Sequence, residues 1–147
     1  LWLPRNIKKQ KLVHSFKPLG SAVTVLIPSP ALDIAAIGLA DGRILLHNMR
    51  TDKSLMTLRQ KEGQVTALSF RTEGLEDGGG LLASGTAHGS IIFWSLQRRR
   101  VAFTLNDAHL DRISSLHFLQ GEPILVSSGE DNSLKEWIFD QPDGTAR

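Results

Sequence analysis

Three side chains in the last third of the sequence have the types that carry out hydrolysis in many enzymes: His109, Ser127 and Asp131. In such a set, the histidine takes a proton from the serine nucleophile and the carboxylate orients the histidine. The nucleophile must also be exposed beside an oxyanion hole, and the G-x-S-x-G motif of one large hydrolase class is absent. An internal repeat already explains the spacing of the three residues. We therefore predict no catalytic residues and a protein that is not an enzyme.

Two further histidines, His47 and His88, are candidate metal ligands, but both occupy landmark positions of the same repeat, which favours a structural role. The chain has no Cys, which excludes disulfides, Cys-ligated zinc and thiol catalysis. The run Gly78-Gly79-Gly80 lacks the Lys and Ser or Thr that follow the glycines of a phosphate-binding loop, so it is predicted to be a flexible insertion between strands. No metal or cofactor is expected.

Two short basic stretches could contact RNA phosphates or an acidic protein neighbour. The other interpretation is that they are solvated turns. No aromatic residues interleave with them, so base-specific recognition of RNA is not expected. The residues concerned are Lys8, Lys9, Lys11, Arg98, Arg99 and Arg100.

The composition is typical of a globular domain, with 41% hydrophobic and 22% charged residues in 147. The formal net charge is only +2, so charge alone does not indicate a nucleic-acid partner. The longest apolar run, residues 22–28, is far shorter than the roughly 20 residues that cross a bilayer, so no membrane association is expected. Because the chain does not begin with Met, we expect a fragment of a longer protein.

An internal repeat organises these residues. Each unit has an apolar strand, a polar turn, and a landmark side chain six residues after the start of that turn. The turn and landmark pairs are Asp41 and His47, His88 and Trp94, and Asp131 and Trp137. The upstream strands start at Val23, Val65 and Ile113, which gives periods of 42 and 48 residues. A period of about 40–45 with a Trp in the third strand is typical of β-propeller blades, so we predict an all-β, partial propeller.

The repeat divides the chain into two complete four-stranded blades, residues 20–61 and 62–107, and parts of two more. Residues 1–19 are predicted to end a preceding blade, with its last strand at Lys11–Phe16, and residues 108–147 to form an incomplete blade. The predicted strands of the three later units are 22–28, 34–39, 43–48, 54–59, 64–70, 81–86, 90–95, 100–105, 112–118, 124–128 and 133–138. Open edges on a partial propeller predict that the missing blades come from the rest of a parent chain or from other chains.

Residues 81–96 (LLASGTAHGSIIFWSL) and 124–139 (ILVSSGEDNSLKEWIF) resemble the WD-repeat family. In that family, a His before the first strand, a Ser or Thr in the second, the turn Asp and a Trp in the third form a hydrogen-bonded network. The resemblance implies a full set in the third unit, namely His109, Ser127, Asp131 and Trp137. The second unit keeps Ser84 and Trp94 but has His88 in place of Asp. The first keeps only Asp41, with Ile37 and His47 at the other positions.

Longer segments are more specific: SPALDIAAIGLADGRILLHNM (29–49), VTALSFRTEG (65–74) and GEPILVSSGEDNSLKEWIFD (121–140). They resemble the U3 small nucleolar RNA-associated protein 21 family, WD-repeat subunits of the small-subunit processome. The resemblance implies a nucleolar, non-catalytic scaffold within the UTP-B subcomplex that supports pre-18S ribosomal RNA processing and 40S ribosome biogenesis. The implied partners are the other UTP-B propeller subunits, further processome proteins, and U3 and pre-ribosomal RNA.

A peptide-binding WD-repeat adaptor in another complex is the alternative interpretation. It would need an acidic or aromatic-lined central channel, which only a complete propeller sequence would reveal. Both interpretations depend on a rigid surface that is presented to partners, with no bond made or broken.

Overall fold

The computed structural model describes residues 10–71 and 80–138, and within these ranges the regular secondary structure consists entirely of β-strands. The strands form three antiparallel sheets, two with four strands and one with three. In each sheet, strands that follow one another in the chain are hydrogen-bonded neighbours. The prediction of an all-β, partial propeller is confirmed, and each strand boundary predicted for the three later units lies within one residue of the observed one.

The first sheet contains β1 (Val23–Pro28), β2 (Ile34–Leu39), β3 (Arg43–Asn48) and β4 (Lys53–Arg59). The second contains β5 (Val65–Arg71), β6 (Leu81–Thr86), β7 (Ile91–Ser95) and β8 (Arg100–Leu105). The third contains β9 (Ile113–Phe118), β10 (Ile124–Gly129) and β11 (Leu134–Ile138). The sheets contact one another mainly through their first strands, since β1 packs against β5 and β5 against β9.

The segment before β1 differs from the prediction, because residues 10–19 form no strand. The expectation of a strand at Lys11–Phe16 is wrong, since within the described ranges no strand pairs with this segment and a strand needs such a neighbour. The segment instead contacts the first sheet through side chains, with Leu19 packed against a cluster that includes Leu39 and Leu45. The assignment of residues 1–19 to a preceding blade stays a prediction.

The turn between the second and third strands needs a left-handed backbone in every sheet. Gly42, Gly89 and Asn132 occupy this position with φ of 94°, 88° and 66°. Glycine has no Cβ to clash in this conformation, and asparagine tolerates it better than most residues. This requirement explains why a polar-Gly or polar-Asn pair marks each unit of the repeat.

The first strand of each sheet carries an irregularity at its second residue. Register with the neighbouring strand shifts around Thr24, Thr66 and Ser114, so each of these residues is bulged out of the pairing. At the first of them, the Thr24 hydroxyl lies 3.0 Å from the Gly38 carbonyl oxygen and 2.6 Å from that of Val65 in the next sheet. The bulge therefore supplies a polar link between two blades in addition to the apolar contact.

Apolar side chains between the sheets form the core. One cluster joins the first and second sheets and includes Val65, Leu68 and Trp94. Another joins the second and third sheets around Phe93, which stacks on Phe103 with ring centroids 4.3 Å apart. Since β2, β3, β6 and β7 are buried on both faces, these strands are nearly continuous apolar runs and do not alternate.

The third sheet is buried on one face only within the described residues. Leu125 is fully buried against the second sheet, whereas Leu134 and Ile138 on β11 are 72% and 44% exposed. The exposed and half-buried positions of β11 alternate, as expected when one face of a sheet is covered.

Replacing Gly85 tests whether close contact between blades determines the stability of the propeller. A Cβ at this position would lie 2.6 Å from Cγ2 of Ile113 in the next sheet, closer than real Cβ contacts occur. We expect Gly85→Ala to lower the free energy of unfolding of the propeller by about 1–3 kcal/mol, because overpacking forces backbone shifts in a tight core. Chemical denaturation measures the effect.

Gly80→Ala is the matched control. The atom nearest to its Cβ would be Cδ1 of Leu96, the far end of a flexible side chain, at 3.2 Å, and the Arg71 carbonyl oxygen would lie at an ordinary contact distance of 3.8 Å. A drop in stability for Gly80→Ala as large as that for Gly85→Ala would contradict the assignment of the effect to contact between blades.

Candidate functional site

The third blade contains a continuous chain of hydrogen bonds around a buried histidine. The indole nitrogen of Trp137 donates to the Ser127 hydroxyl at 2.8 Å, and this hydroxyl lies 2.7 Å from Nε2 of His109. The other ring nitrogen, Nδ1, is 3.0 Å from Oδ1 of Asp131. The contacts are satisfied together if Ser127 donates to Nε2 and Nδ1–H donates to the carboxylate, which is the neutral histidine tautomer.

Asp131 is the anchor of this chain. Its carboxylate accepts the hydroxyl of Ser133 at 2.6 Å and the backbone amides of Leu110 and Ser133 at 2.9 and 3.1 Å. The hydroxyl of Ser133 and the amide of Leu110 hold the pKa of the Asp131 carboxyl well below its usual range. The carboxylate thus joins the turn before β11 to the connection before β9.

The strands bring Ser127 and Trp137 together. Ser127 lies near the middle of β10, where it pairs with Lys135, two residues along the strands from the pair of Leu125 and Trp137. Room for the histidine ring comes from Gly129, where a Cβ would lie only 2.6 Å from Nδ1 of His109. Sequence analysis did not single out Gly129.

The second blade builds a related network from different residues. The indole nitrogen of Trp94 donates to the Ser84 hydroxyl at 2.9 Å, and this hydroxyl donates to Oε1 of Gln60 at 2.9 Å. The Gln60 side chain is buried, and its Nε2 donates to the carbonyl oxygens of Gly63 and Gln64, both at 2.9 Å. Gln60 therefore occupies the place of His109.

Sequence analysis missed Gln60 because it lies five residues before β5, whereas His109 lies four residues before β9. The connection of the second blade also differs in its turn. His88, at the position of Asp131, is exposed, and the Thr86 hydroxyl accepts the Ser90 amide at 3.0 Å instead. A hydroxyl two residues earlier thus replaces the missing carboxylate.

The first blade has no such network. Asp41 accepts Nε of Arg43 at 2.8 Å, and Arg43 donates through its other nitrogen to the Leu19 carbonyl oxygen. At the Trp position, His47 is buried between the Ser54 hydroxyl and the carboxylate of Asp52, at 3.1 and 2.8 Å. The sequence therefore places His47 in a structural contact with the turn between β3 and β4.

Asp52 also holds the segment before β1. Its second carboxylate oxygen lies 3.1 Å from Nε2 of His14, and the Phe16 ring is edge-on to the ring of His47 at 6.0 Å. The bonds to His14 and His47 lower the pKa of the Asp52 carboxyl below its usual value. These contacts attach residues 10–19 to the first blade without a strand.

Buried contacts decide what these polar groups can do chemically. The Ser127 side chain is fully buried and already bonded to His109 and Trp137, so it cannot act as the exposed nucleophile of a hydrolase. Within residues 10–71 and 80–138, no three His, Cys, Asp or Glu side chains come together in a way that could hold a metal ion. The arrangement satisfies buried polar groups and stabilises the turns.

The basic residues lie apart from these networks. Arg98, Arg99 and Arg100 are exposed in the turn from β7 to β8 and at the start of β8. Lys11 is exposed in the segment before β1, and Lys8 and Lys9 lie outside the described residues. No helix in the described part of the chain is long and apolar enough to span a membrane.

Meandering four-stranded sheets that pack face to face, with Trp–Ser contacts between their second and third strands, define a WD-repeat β-propeller. The family model of the WDR36/Utp21 first β-propeller matches residues 2–140. The chain belongs to this family, and the resemblance drawn from the sequence is confirmed.

The curated relatives agree over nearly the whole chain. It is 43% identical over 97% of its length to the U3 small nucleolar RNA-associated protein 21 homolog of Schizosaccharomyces pombe. It is 40% identical over its full length to human WD repeat-containing protein 36, and 38% identical over 92% to U3 small nucleolar RNA-associated protein 21 of Saccharomyces cerevisiae. The matched region spans only 15%, 16% and 14% of these three relatives.

Solved structures support the fold alone. The structure of U3-55K covers 90% of this chain with a TM-score of 0.74 at 20% identity, and this chain covers 40% of it. The crystal structure of the RRP9 WD40 repeats gives the same TM-score and identity, with 90% and 39% coverage of the two chains. A similarity at this level of identity identifies the propeller architecture.

Replacing Ser127 with Ala tests the network of the third blade. The change leaves the buried ring nitrogen of His109 and the indole N–H of Trp137 without their shared partner. We expect the free energy of unfolding to fall by about 1–3 kcal/mol, the usual cost of an unsatisfied buried polar group. Denaturant titration of the complete propeller measures it. Ser128→Ala, on the opposite face of β10, is the control, and equal decreases in both variants would contradict the role given to Ser127.

Acid unfolding tests Asp131. Its folded pKa lies below the unfolded value of about 3.9, so the unfolded chain takes up the proton first as the pH falls. The stabilising contribution is therefore present above about pH 4 and is lost at lower pH. We expect the stability difference between the wild type and Asp131→Asn to shrink between about pH 5 and pH 2.5. A stability difference that stays constant over this pH range would contradict the role given to Asp131. The same pH dependence in Asp107→Asn, the control, would also contradict it.

Proposed function

We propose that this chain is part of a non-catalytic scaffold subunit of the small-subunit processome, which supports pre-18S ribosomal RNA processing and 40S ribosome biogenesis. The observation that carries the proposal is membership of the WDR36/Utp21 first β-propeller family across residues 2–140. Two of the curated relatives are named as U3 small nucleolar RNA-associated proteins. This association supports the nucleolus as the proposed site of action.

The packing supports a role in rigid presentation of a surface. The inner strands of the first and second sheets are buried on both faces, and the buried Trp94, Ser84 and Gln60 side chains bond to one another. A buried network of this kind holds the adjoining turns in one arrangement. The exposed turns at both ends of the sheets are then available to partners, as in other propellers.

The proposed partners are the other UTP-B propeller subunits, further processome proteins, and U3 and pre-ribosomal RNA. The candidate contacts with RNA or an acidic neighbour are Lys8, Lys9, Lys11, Arg98, Arg99 and Arg100. The exposed apolar side chains of β11, Leu134 and Ile138, support the further proposal that additional blades cover the third sheet. These blades would come from the parent chain or from other chains.

Affinity purification of the tagged full-length protein from nuclear extract tests the proposal. We expect processome proteins and U3 RNA to be recovered with the wild type, because the scaffold joins the assembled particle. Immunoblotting for processome subunits and hybridisation to U3 RNA measure the recovery.

The glycine pair provides matched variants for this experiment. Gly85→Ala, which strains the contact between blades, should reduce recovery, whereas Gly80→Ala should not. Absence of U3 RNA and processome proteins from the wild-type sample would overturn the proposal. Recovery of a peptide-bearing partner without U3 RNA would support the peptide-binding adaptor instead.

A further inference from the structure

The turn from β7 to β8 presents three consecutive arginines. Arg98, Arg99 and Arg100 are all exposed, and Ser95 holds the turn by accepting the amide of Arg98 at 3.2 Å. Pairing of Ser95 with Arg100 closes the turn between two strands of a packed sheet. Three guanidinium groups therefore extend into solvent from one short turn with a defined backbone.

The middle arginine has an unfavourable backbone conformation. Arg99 has φ of 55°, in the left-handed region that few residues other than Gly, Asn and Asp adopt readily. The corresponding position in the first blade holds Asp52, with φ of 56°, whose carboxylate bonds to His47. At Arg99, the neighbouring landmark is Trp94, which bonds to Ser84 and needs no carboxylate. No hydrogen bond like that of the Asp52 carboxylate accounts for the strained backbone at Arg99. We therefore expect the Arg99 side chain to act at the surface.

The first blade also carries an exposed positive charge at this end. Lys53 is exposed at the start of β4, in the turn equivalent to that of the arginines. The carboxylates of this end in the first blade are already engaged, because Asp33 bonds to Arg50 and Asp52 bonds to His47 and His14. The turns from third to fourth strand in two adjacent blades therefore present cations at the same end of the sheets.

We propose that Arg98, Arg99 and Arg100 form an electrostatic contact for the phosphate backbone of RNA, without reading its bases. The inference deepens the proposed function and rests on it, since it assigns part of the RNA contact to one turn. Guanidinium groups bind phosphate oxygens through paired N–H donors, and their affinity does not depend on the base.

RNA is favoured over an acidic protein by the character of the turn. Leu96, its only apolar side chain, packs inward against the core between the first two sheets. The turn, residues 95–100, contains no aromatic side chain. Arginine anchors of protein interfaces usually lie among aromatic anchors, which this turn lacks, whereas backbone contacts with nucleic acid need only positive charge.

Equilibrium binding of the full-length protein to a fluorescent single-stranded oligouridine of about 20 nucleotides tests the proposal. We expect Arg98→Gln, Arg99→Gln and Arg100→Gln together to weaken binding about 10- to 100-fold at about 0.1 M salt. The slope of log affinity against log salt concentration should become shallower by about 2, at roughly 0.7 for each phosphate that the variant no longer neutralises. Fluorescence anisotropy over a series of salt concentrations measures both quantities.

A charge-matched control removes three cations from the opposite end of the sheets. Arg59, Lys61 and Arg112 lie there, beside the connections before β5 and β9. Replacing all three with Gln should change the affinity and the salt slope by less than one third as much. Equal effects in the two triple variants would mean that only the overall charge matters and would overturn the proposal.

Arg99→Gly separates binding from folding. Glycine adopts positive φ without strain, so the thermal midpoint of this variant should be unchanged or higher, while its affinity for RNA falls. Unchanged RNA affinity and salt slope in the triple variant of Arg98, Arg99 and Arg100 would overturn the proposal. Polyglutamate serves as a probe for an acidic protein partner, and a triple variant that loses binding to polyglutamate but keeps its RNA affinity would also overturn it. Recovery of U3 RNA from extract by the wild type would still stand in either case, so failure of this contact is distinct from failure of the scaffold role.

Discussion

Close face-to-face packing of one sheet on the next is the constraint on which the rest of this structure depends. Side chains as small as a single methyl group decide whether the sheets can approach, since Gly38 and Gly85 leave room for Val65 and Ile113 of the following blade. A sheet that is covered on both faces has no water at its centre, so polar groups there need partners within the protein. The hydrogen-bonded networks are a consequence of this burial.

The second and third blades meet the same requirement with different chemistry. The third uses His109, Ser127 and Asp131 around Trp137, and the second replaces the histidine with Gln60 and the carboxylate with a threonine hydroxyl. What the fold requires at this position is therefore a donor and an acceptor of the right reach, and several residue types supply them. This tolerance is why a repeat can lose most of its signature residues and keep its architecture.

The same packing divides the chain into a fixed interior and a free surface. The polar groups that resemble a catalytic set are buried and bonded to one another, whereas the three arginines of the β7–β8 turn lie exposed at one end of the sheets. This division supports the proposed scaffold role, in which positive turns on a rigid support contact phosphates of a partner.

The repeat period and the apolar pattern of the sequence determined the sheets of this protein. Strand spacing, turn glycines and two-sided burial depend on local sequence, and this sequence repeats along the chain. The set of His109, Ser127, Asp131 and Trp137 followed from the resemblance of the sequence to the WD-repeat family. Only the tertiary structure decided that Gln60 takes the place of the histidine, because Gln60 lies one residue further from its strand than His109 does. Which side chain fills this place depends on which one can reach Ser84 on β6. It likewise decided that residues 10–19 contact the first blade through side chains such as His14, Phe16 and Leu19, since within the described ranges no strand pairs with this segment.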